Sequence, residues 1–205
     1  MMVSQYNYSE IMLWLEKKGK IQYGDKFRIC ENDHPIIKQL LIYFLHDEPM
    51  ANLMNIDLEK GILLTGPVGS GKTSLMSLMK NLAVAQKKFF VKPCRDISFE
   101  FIQDGYSVIH SYSKGQLHRT EPKAICFDDL GTENTIKYYG NECNVMAEIL
   151  LTRYDLFISK KTRTHITTNL SASEIEKHYG LRVRSRLREL CNLIAFDHST
   201  KDKRK

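Results

Sequence analysis

The sequence predicts an α/β protein built on a parallel sheet flanked by helices, and three stretches carry that prediction. Gly61-Ile62-Leu63-Leu64-Thr65 is a short apolar run followed at once by a glycine-rich loop. Behind the loop, Ser74 to Lys87 reads as a helix, because Leu75, Leu78, Leu82 and Ala85 recur at helical spacing. Ala124-Ile125-Cys126-Phe127 is a second apolar run, closed by Asp128-Asp129. Thr164 to Thr168 is a third strand, ending at Asn169 and followed by the capping box Ser171-Ala172-Ser173-Glu174, so a helix starts there. Short apolar strands alternating with helical segments are the pattern of a sheet buried on both faces.

The remaining elements follow in chain order. Ser9 to Lys18 reads as a short helix, with Ser9 as cap, Glu10 in the first turn and Gly19 where helices commonly stop. Lys26 to Cys30 alternates like a short strand, so residues 1–32 are expected to form a small helix-and-hairpin extension. It is either a decoration packed on the core or a partner-docking piece. From Asp33, with Pro35 in a first turn, Ile36, Ile37, Leu40, Leu41, Phe44 and Leu45 define a strongly one-sided helix that His46-Asp47-Glu48-Pro49 ends. Met50 to Lys60 leads into the Gly61 strand. Phe89 to Lys92 is a strand closed by Pro93, and Asp96 to Ser113 is a helix interrupted at Gly105. Ser113 to Lys123 is a polar connection, Asn141 to Phe157 a helix, Asn192 to Phe196 a last strand, and Lys201 to Lys205 a basic tail. The chain thus divides into an extension (1–32), a core (33–197) and a tail (198–205).

Bulk properties bound the function. The chain's 205 residues and 42% hydrophobic content suffice for one α/β core. No apolar run reaches bilayer length, and Met1 to Tyr6 lacks the layout of a signal peptide, so a cytoplasmic protein with no membrane partner is expected. Five cysteines, odd in number and without a C-x-x-C pair, suit reduced packing residues. A net charge of +6 is compatible with a polyanionic partner without requiring one.

The chemistry concentrates in the loop Gly66-Pro67-Val68-Gly69-Ser70-Gly71-Lys72-Thr73, which has the G-x-x-x-x-G-K-[ST] pattern between a strand and a helix. In that setting the glycines turn backbone N–H groups inward, and the helix presents its positive dipole end to an anion. Lys72 would reach the β- and γ-phosphates of a nucleoside triphosphate, and the Thr73 hydroxyl would ligate Mg²⁺. Asp128 and Asp129 stand at the C-terminal end of a buried strand, where ligands bind in open α/β sheets. Asp128 is placed to hold the same Mg²⁺, and Asp129 to orient an attacking water. Asn169 would position that water or sense the γ-phosphate; its alternative is a turn residue. Arg182, Arg184, Arg186 and Arg188 alternate along the last helical stretch. They form either a solvated basic face or an arginine delivered to a neighbouring subunit's γ-phosphate.

In combination, GPVGSGKT, ICFDDLGTE, ITTNLSASEIEKHYG and RVRSRL, in that order, resemble the AAA+ ATPases of the bacterial replicative helicase-loader type, the DnaC/DnaI group, and their relative IstB. The resemblance spans about residues 33–197. It implies a P-loop NTPase fold: a RecA-like AAA+ core with a five-stranded parallel sheet and no separate C-terminal lid. It makes Asp128 and Asp129 the Walker B acids, Asn169 the sensor 1 residue, and Arg186 the arginine finger, with Arg182 as the fallback. It selects ATP as the nucleotide. It further implies a slow, DNA-stimulated ATPase in an ATP-dependent homo-oligomer that places a hexameric replicative helicase on single-stranded DNA. The alternative under the same resemblance is an IstB-like regulator of a transposase on target DNA. A small-molecule phosphotransferase would leave Asp128-Asp129, Asn169 and the late arginines unexplained.

Overall fold

A computed structural model describes residues 5–113, 123–133, 136–138, 141–200 and 202–203. Most of the polar connection after Ser113, and Lys201, Arg204 and Lys205 of the tail, lie outside the described residues. The strands are β1 (Gly61–Thr65), β2 (Phe90–Pro93), β3 (Ile125–Leu130), β4 (Ile136–Tyr138), β5 (Asn141–Cys143), β6 (Thr164–Thr168) and β7 (Cys191–Ala195). Five of them form one parallel sheet in the order β2-β3-β6-β1-β7. In register, Leu63 lies beside Ile166 and Leu193, and Phe127 beside Ile166. Thr65, Asp128 and Thr168 therefore gather at the C-terminal end of the parallel strands, the loop edge.

Residues of alternate parity point to opposite faces of a strand. Ile62, Leu64 and Ile194 accordingly pack with α1 (Tyr8–Tyr23), α2 (His34–Phe44), α3 (Glu48–Leu53) and α4 (Lys72–Leu82). Leu63, Phe127 and Ile166 pack on the other side, with α5 (Cys94–Asp104), α6 (Tyr106–Ser113), α7 (Val145–Lys160) and α8 (Ala172–Leu190). Two apolar cores thus sandwich the sheet. The five cysteines are free thiols, and no helix among the described residues is long and apolar enough to cross a membrane.

The N-terminal expectation needs correction. The first helix is capped by Asn7, whose Oδ1 accepts from the Glu10 N–H at 3.3 Å, and it runs through Gly19 to stop at Gly24. Gly19 serves close approach rather than termination: a Cβ there would lie 2.2 Å from a Phe27 ring carbon. Residues 26–30 form no strand, so there is no hairpin among the described residues before α2. Phe27 folds back on α1, and the Ile29 N–H donates to the Glu16 carboxylate at 3.2 Å, so this segment's groups are used by the helix beside it. Leu15 is fully buried in the first core, and the Tyr6 hydroxyl donates to the Leu45 carbonyl at 3.1 Å. Trp14, on α1, is 38% exposed, with the Lys18 ammonium 5.5 Å from its ring centroid.

Smaller corrections share one cause, local hydrogen bonding that apolar spacing does not reveal. The helix expected from Asn141 starts at Val145, because Asn141–Cys143 pairs antiparallel with Ile136–Tyr138 and Asn144 supplies the cap. The helix after the loop ends at Leu82 and is followed by a short 3₁₀ turn, Ala85–Lys87. The break at Gly105 is present, with φ 58°.

At the opposite end of the strands, the far edge, two basic side chains are buried, one charged and one neutral. Arg153 is 1% exposed and pairs with no carboxylate among the described residues; Nε donates to Thr164 Oγ1 at 2.8 Å, Nη1 to the Lys123 carbonyl at 3.1 Å and Nη2 to the Arg163 carbonyl at 2.6 Å. His165 is enclosed by Tyr43, Phe44 and Phe89, and its Nδ1 accepts from the Ile62 N–H at 3.1 Å. Burial, reinforced by the charges of Lys87, Arg163 and Arg153, pushes its pKa down to about 3, so the ring is neutral.

Candidate functional site

The loop between β1 and α4 is shaped by its glycines. Gly71, at φ 92°, is the N-cap of α4 and offers no side chain to the helix's first amides, which leaves them for an anion. Gly66 is required by space: a Cβ there would meet the Phe196 side chain at 2.6 Å. Ser70 is fully buried within the turn, and its N–H donates to the Pro67 carbonyl at 3.3 Å. Lys72 Nζ donates to the carbonyls of Gly66 at 2.8 Å and Pro67 at 2.9 Å. The cation is thus held in the concavity of the loop.

Opposite the loop, β3 brings its acids into reach. Thr73 Oγ1 donates to Asp128 Oδ1 at 3.0 Å, and Thr167 Oγ1 donates to the same oxygen at 2.6 Å. The Thr167 hydroxyl in turn accepts from the Asp129 N–H at 2.8 Å, so it links both acids. The β3–β6 ladder shifts register between Phe127 and Leu130, and Asp129 takes a left-handed φ of 53°. This bulge turns the second carboxylate into the cleft while the first stays under the loop. Burial raises the Asp128 pKa above the ordinary aspartate range and the nearby Asp129 charge adds to it; hydrogen bonds from Thr167 and Thr73 and the Lys72 charge act in the opposite direction. A bound cation would relieve that cost.

The donor set fits Mg²⁺. Thr73 and Asp128 supply two hard oxygens on adjoining elements, and Mg²⁺ takes few protein ligands when phosphate oxygens and water complete its shell. Among the described residues no group of three or more His, Cys, Asp or Glu could hold a metal alone, so such an ion would depend on the nucleotide's own oxygens.

Part of this set lines one open cleft of about 1590 Å³, larger than the ~300–1,000 Å³ of most small-ligand pockets, while Asp128 lies behind Thr73 and not on its lining. Val68, Gly69, Gly71, Lys72 and Thr73 of the loop and α4, and Asp129 and Asn169 from the ends of β3 and β6, are among its lining residues. Two contributions had no signal in the sequence. One is the stretch around Tyr23, Phe27, Asp33 and Pro35; the other is the segment after β7, where the Lys203 N–H donates to the Gly69 carbonyl at 3.1 Å and its Nζ to Asp33 Oδ2 at 2.5 Å. Thr167 was also missed, because a threonine within Thr164 to Thr168 reads as an ordinary strand former.

Arg186 does not line this cleft. Its guanidinium carbon lies 4.2 Å from the Tyr154 ring centroid, and Nη1 donates to the Tyr154 hydroxyl at 3.0 Å and to Glu189 Oε1 at 3.4 Å. Arg182 is exposed on the same part of α8, and Arg184 pairs with Glu176.

The sequence matches no protein-family model and no curated protein. Solved structures do match the fold. A primosome component from Streptococcus pyogenes serotype M3 aligns with TM-score 0.58 at 17% identity, over 84% of this chain and 83% of that one. The DnaC helicase loader aligns with TM-score 0.57 at 17% identity, over 84% of this chain and 95% of that one. AMPPCP-bound DnaA from Aquifex aeolicus aligns with TM-score 0.52 at 17% identity, over 86% of this chain and 50% of that one. With its five-stranded parallel sheet, its loop between β1 and α4 and its helices on both faces, the chain has the P-loop AAA+ fold of these replication proteins.

Proposed function

We propose that the chain binds and hydrolyses ATP with Mg²⁺ and uses that cycle to load a replicative DNA helicase onto single-stranded DNA. The observation that carries the reading is the 3.0 Å approach of Thr73 to Asp128 beneath the glycine-rich loop, in a fold shared with a solved helicase loader.

In this reading the loop amides and the start of α4 bind the β-phosphate, and Lys72 exchanges its Gly66 and Pro67 carbonyls for β- and γ-phosphate oxygens. Thr73 and Asp128 would hold Mg²⁺, whose charge would offset that of the phosphate oxygens. Asp129, turned into the cleft by the bulge, accepts a hydrogen bond from the attacking water and receives its proton. Asn169 holds that water from the facing strand end. The water oxygen bonds to the γ-phosphorus as the bond to the β,γ-bridging oxygen breaks, and ADP and phosphate leave. Arg186, outside its own subunit's cleft, stabilises the departing charge on a neighbouring subunit.

The test is ATP turnover of the full chain titrated with single-stranded or duplex oligonucleotide, followed by capture of a purified hexameric replicative helicase. Stimulation by single strands and ATP-dependent helicase capture are expected. Stimulation by duplex alone would transfer the reading to a transposase regulator, and indifference to both would end the DNA-linked proposal. Arg186→Ala should leave nucleotide affinity within about twofold while turnover falls about a thousandfold, the scale of an arginine finger. Undiminished turnover would return the arginines to a solvated face.

A further inference from the structure

We infer that Glu133 is a positioning residue for the hydrolytic step, one carboxylate tying the turn that carries Asp129 to the joint in α8 that aims the late arginines. The inference rests on the ATPase reading above and goes beyond it by naming what couples the two catalytic regions.

The turn after β3 is closely specified. Asp129 is left-handed, and its carbonyl accepts from the Thr132 N–H at 3.2 Å and the Thr132 hydroxyl at 2.7 Å. The Gly131 N–H donates to Glu133 Oε2 at 2.9 Å. A Cβ on Gly131 would lie 2.7 Å from the Leu170 side chain, so the turn has no slack toward the start of α8. The second oxygen of the same carboxylate, Glu133 Oε1, accepts the Tyr179 hydroxyl, 46 residues away in sequence.

Tyr179 occupies a decisive place on α8. It is the last residue before Gly180, whose φ of 86° and ψ of 159° interrupt the helix. Nothing lies within 4 Å of a Cβ built on Gly180, so the glycine is there for its backbone conformation and not for want of room. Beyond it the second helical piece carries Arg182, Arg184, Arg186 and Arg188. Tyr179 is 9% exposed; burial, with the Glu133 charge adding, pushes its phenol above the tyrosine range, which keeps the hydroxyl a donor. Glu133 does not line the cleft, so its influence runs through the groups it holds. A shift of the Asp129 turn would be passed through this carboxylate to the hinge, and a shift of the arginine-bearing piece would be passed back.

Glu133→Gln keeps the side-chain shape but leaves one acceptor for two donors, and Tyr179→Phe removes only the hydroxyl. ATP kcat and KM, affinity for a fluorescent ADP analogue and Tm are measured for the wild-type full chain, both variants and the double variant. Each single substitution should lower kcat about tenfold with KM and ADP affinity within twofold and Tm nearly unchanged. The double variant should be no slower than the worse single one, because both cut the same tie. Normal kcat in both variants of an active protein overturns the inference. So do kcat losses that multiply or track a fall in Tm, which mark an ordinary structural contact. An inactive wild-type chain overturns the ATPase reading and this inference together.

Discussion

The two edges of the sheet handle buried charge in opposite ways. At the loop edge Asp128 accepts from two hydroxyls and lies near a cation, yet burial, with the second acid adding, still raises its pKa. At the far edge Arg153 spends its donors on two carbonyls and a threonine hydroxyl, and His165 avoids the cost by staying neutral. The far edge satisfies the Arg153 donors within the fold, while His165 Nε2 is buried there without a hydrogen-bond partner among the described residues. The loop edge keeps oxygens and helix amides around an open cleft. A buried titratable residue is thus a stronger sign of function beside an open cleft that other polar groups share than within a packed aromatic cage.

Four measurements sharpen or break that contrast. Lys72→Ala should abolish nucleotide binding or reduce turnover by at least about a hundredfold, the scale of losing one preorganised charge. Near-normal turnover would remove the loop edge from catalysis. Arg153→Met should cost about 3 kcal/mol of stability in urea unfolding, because the Lys123 and Arg163 carbonyls lose their donors, while the affinity of the folded protein for nucleotide stays within twofold. An equal loss of affinity would deny that the two edges are separate.

The third measurement uses pH. Unfolded His165 takes a proton near pH 6.5, whereas the folded residue resists until about 3, so the unfolded state binds more protons in that window and stability falls with acidification. Between pH 7 and pH 5 the loss should be about 2 kcal/mol, and His165→Asn, whose amide oxygen can accept from Ile62, should abolish that part of the slope. The smallest expected effect is Thr167→Val, which breaks the hydroxyl link between the two acids. It should lower kcat about tenfold, or about 1.4 kcal/mol, with little change in KM, and Thr167→Ser should restore it.

What could be read from the sequence follows from range. The loop, its strand and its helix are contiguous, so residues 61–82 state their geometry locally; β1 falls where its apolar run places it, and β6 spans the expected Thr164 to Thr168. Asp128 was readable because two acids closing an apolar strand are expensive without a purpose. Gly19 was misread because a helix stop and a site of close approach use the same residue, and only the returning Phe27 distinguishes them. Arg153 sat unnoticed in an amphipathic helix, since its acceptors come from the starts of β3 and β6. Thr167 and Glu133 act across 39 and 46 residues of sequence, and no local pattern encodes those partners.

Trp14 is the chain's single tryptophan, so it gives the protein a natural reporter at one address. It sits half-exposed on α1, under the Lys18 ammonium, and does not line the cleft beside the glycine-rich loop. Its emission therefore reads what happens to α1: a partner covering this helix should shift the spectrum to the blue and shield it from iodide quenching, without any label. A nucleotide added alone should leave the spectrum in place unless the two regions communicate, so one cuvette experiment separates docking from binding.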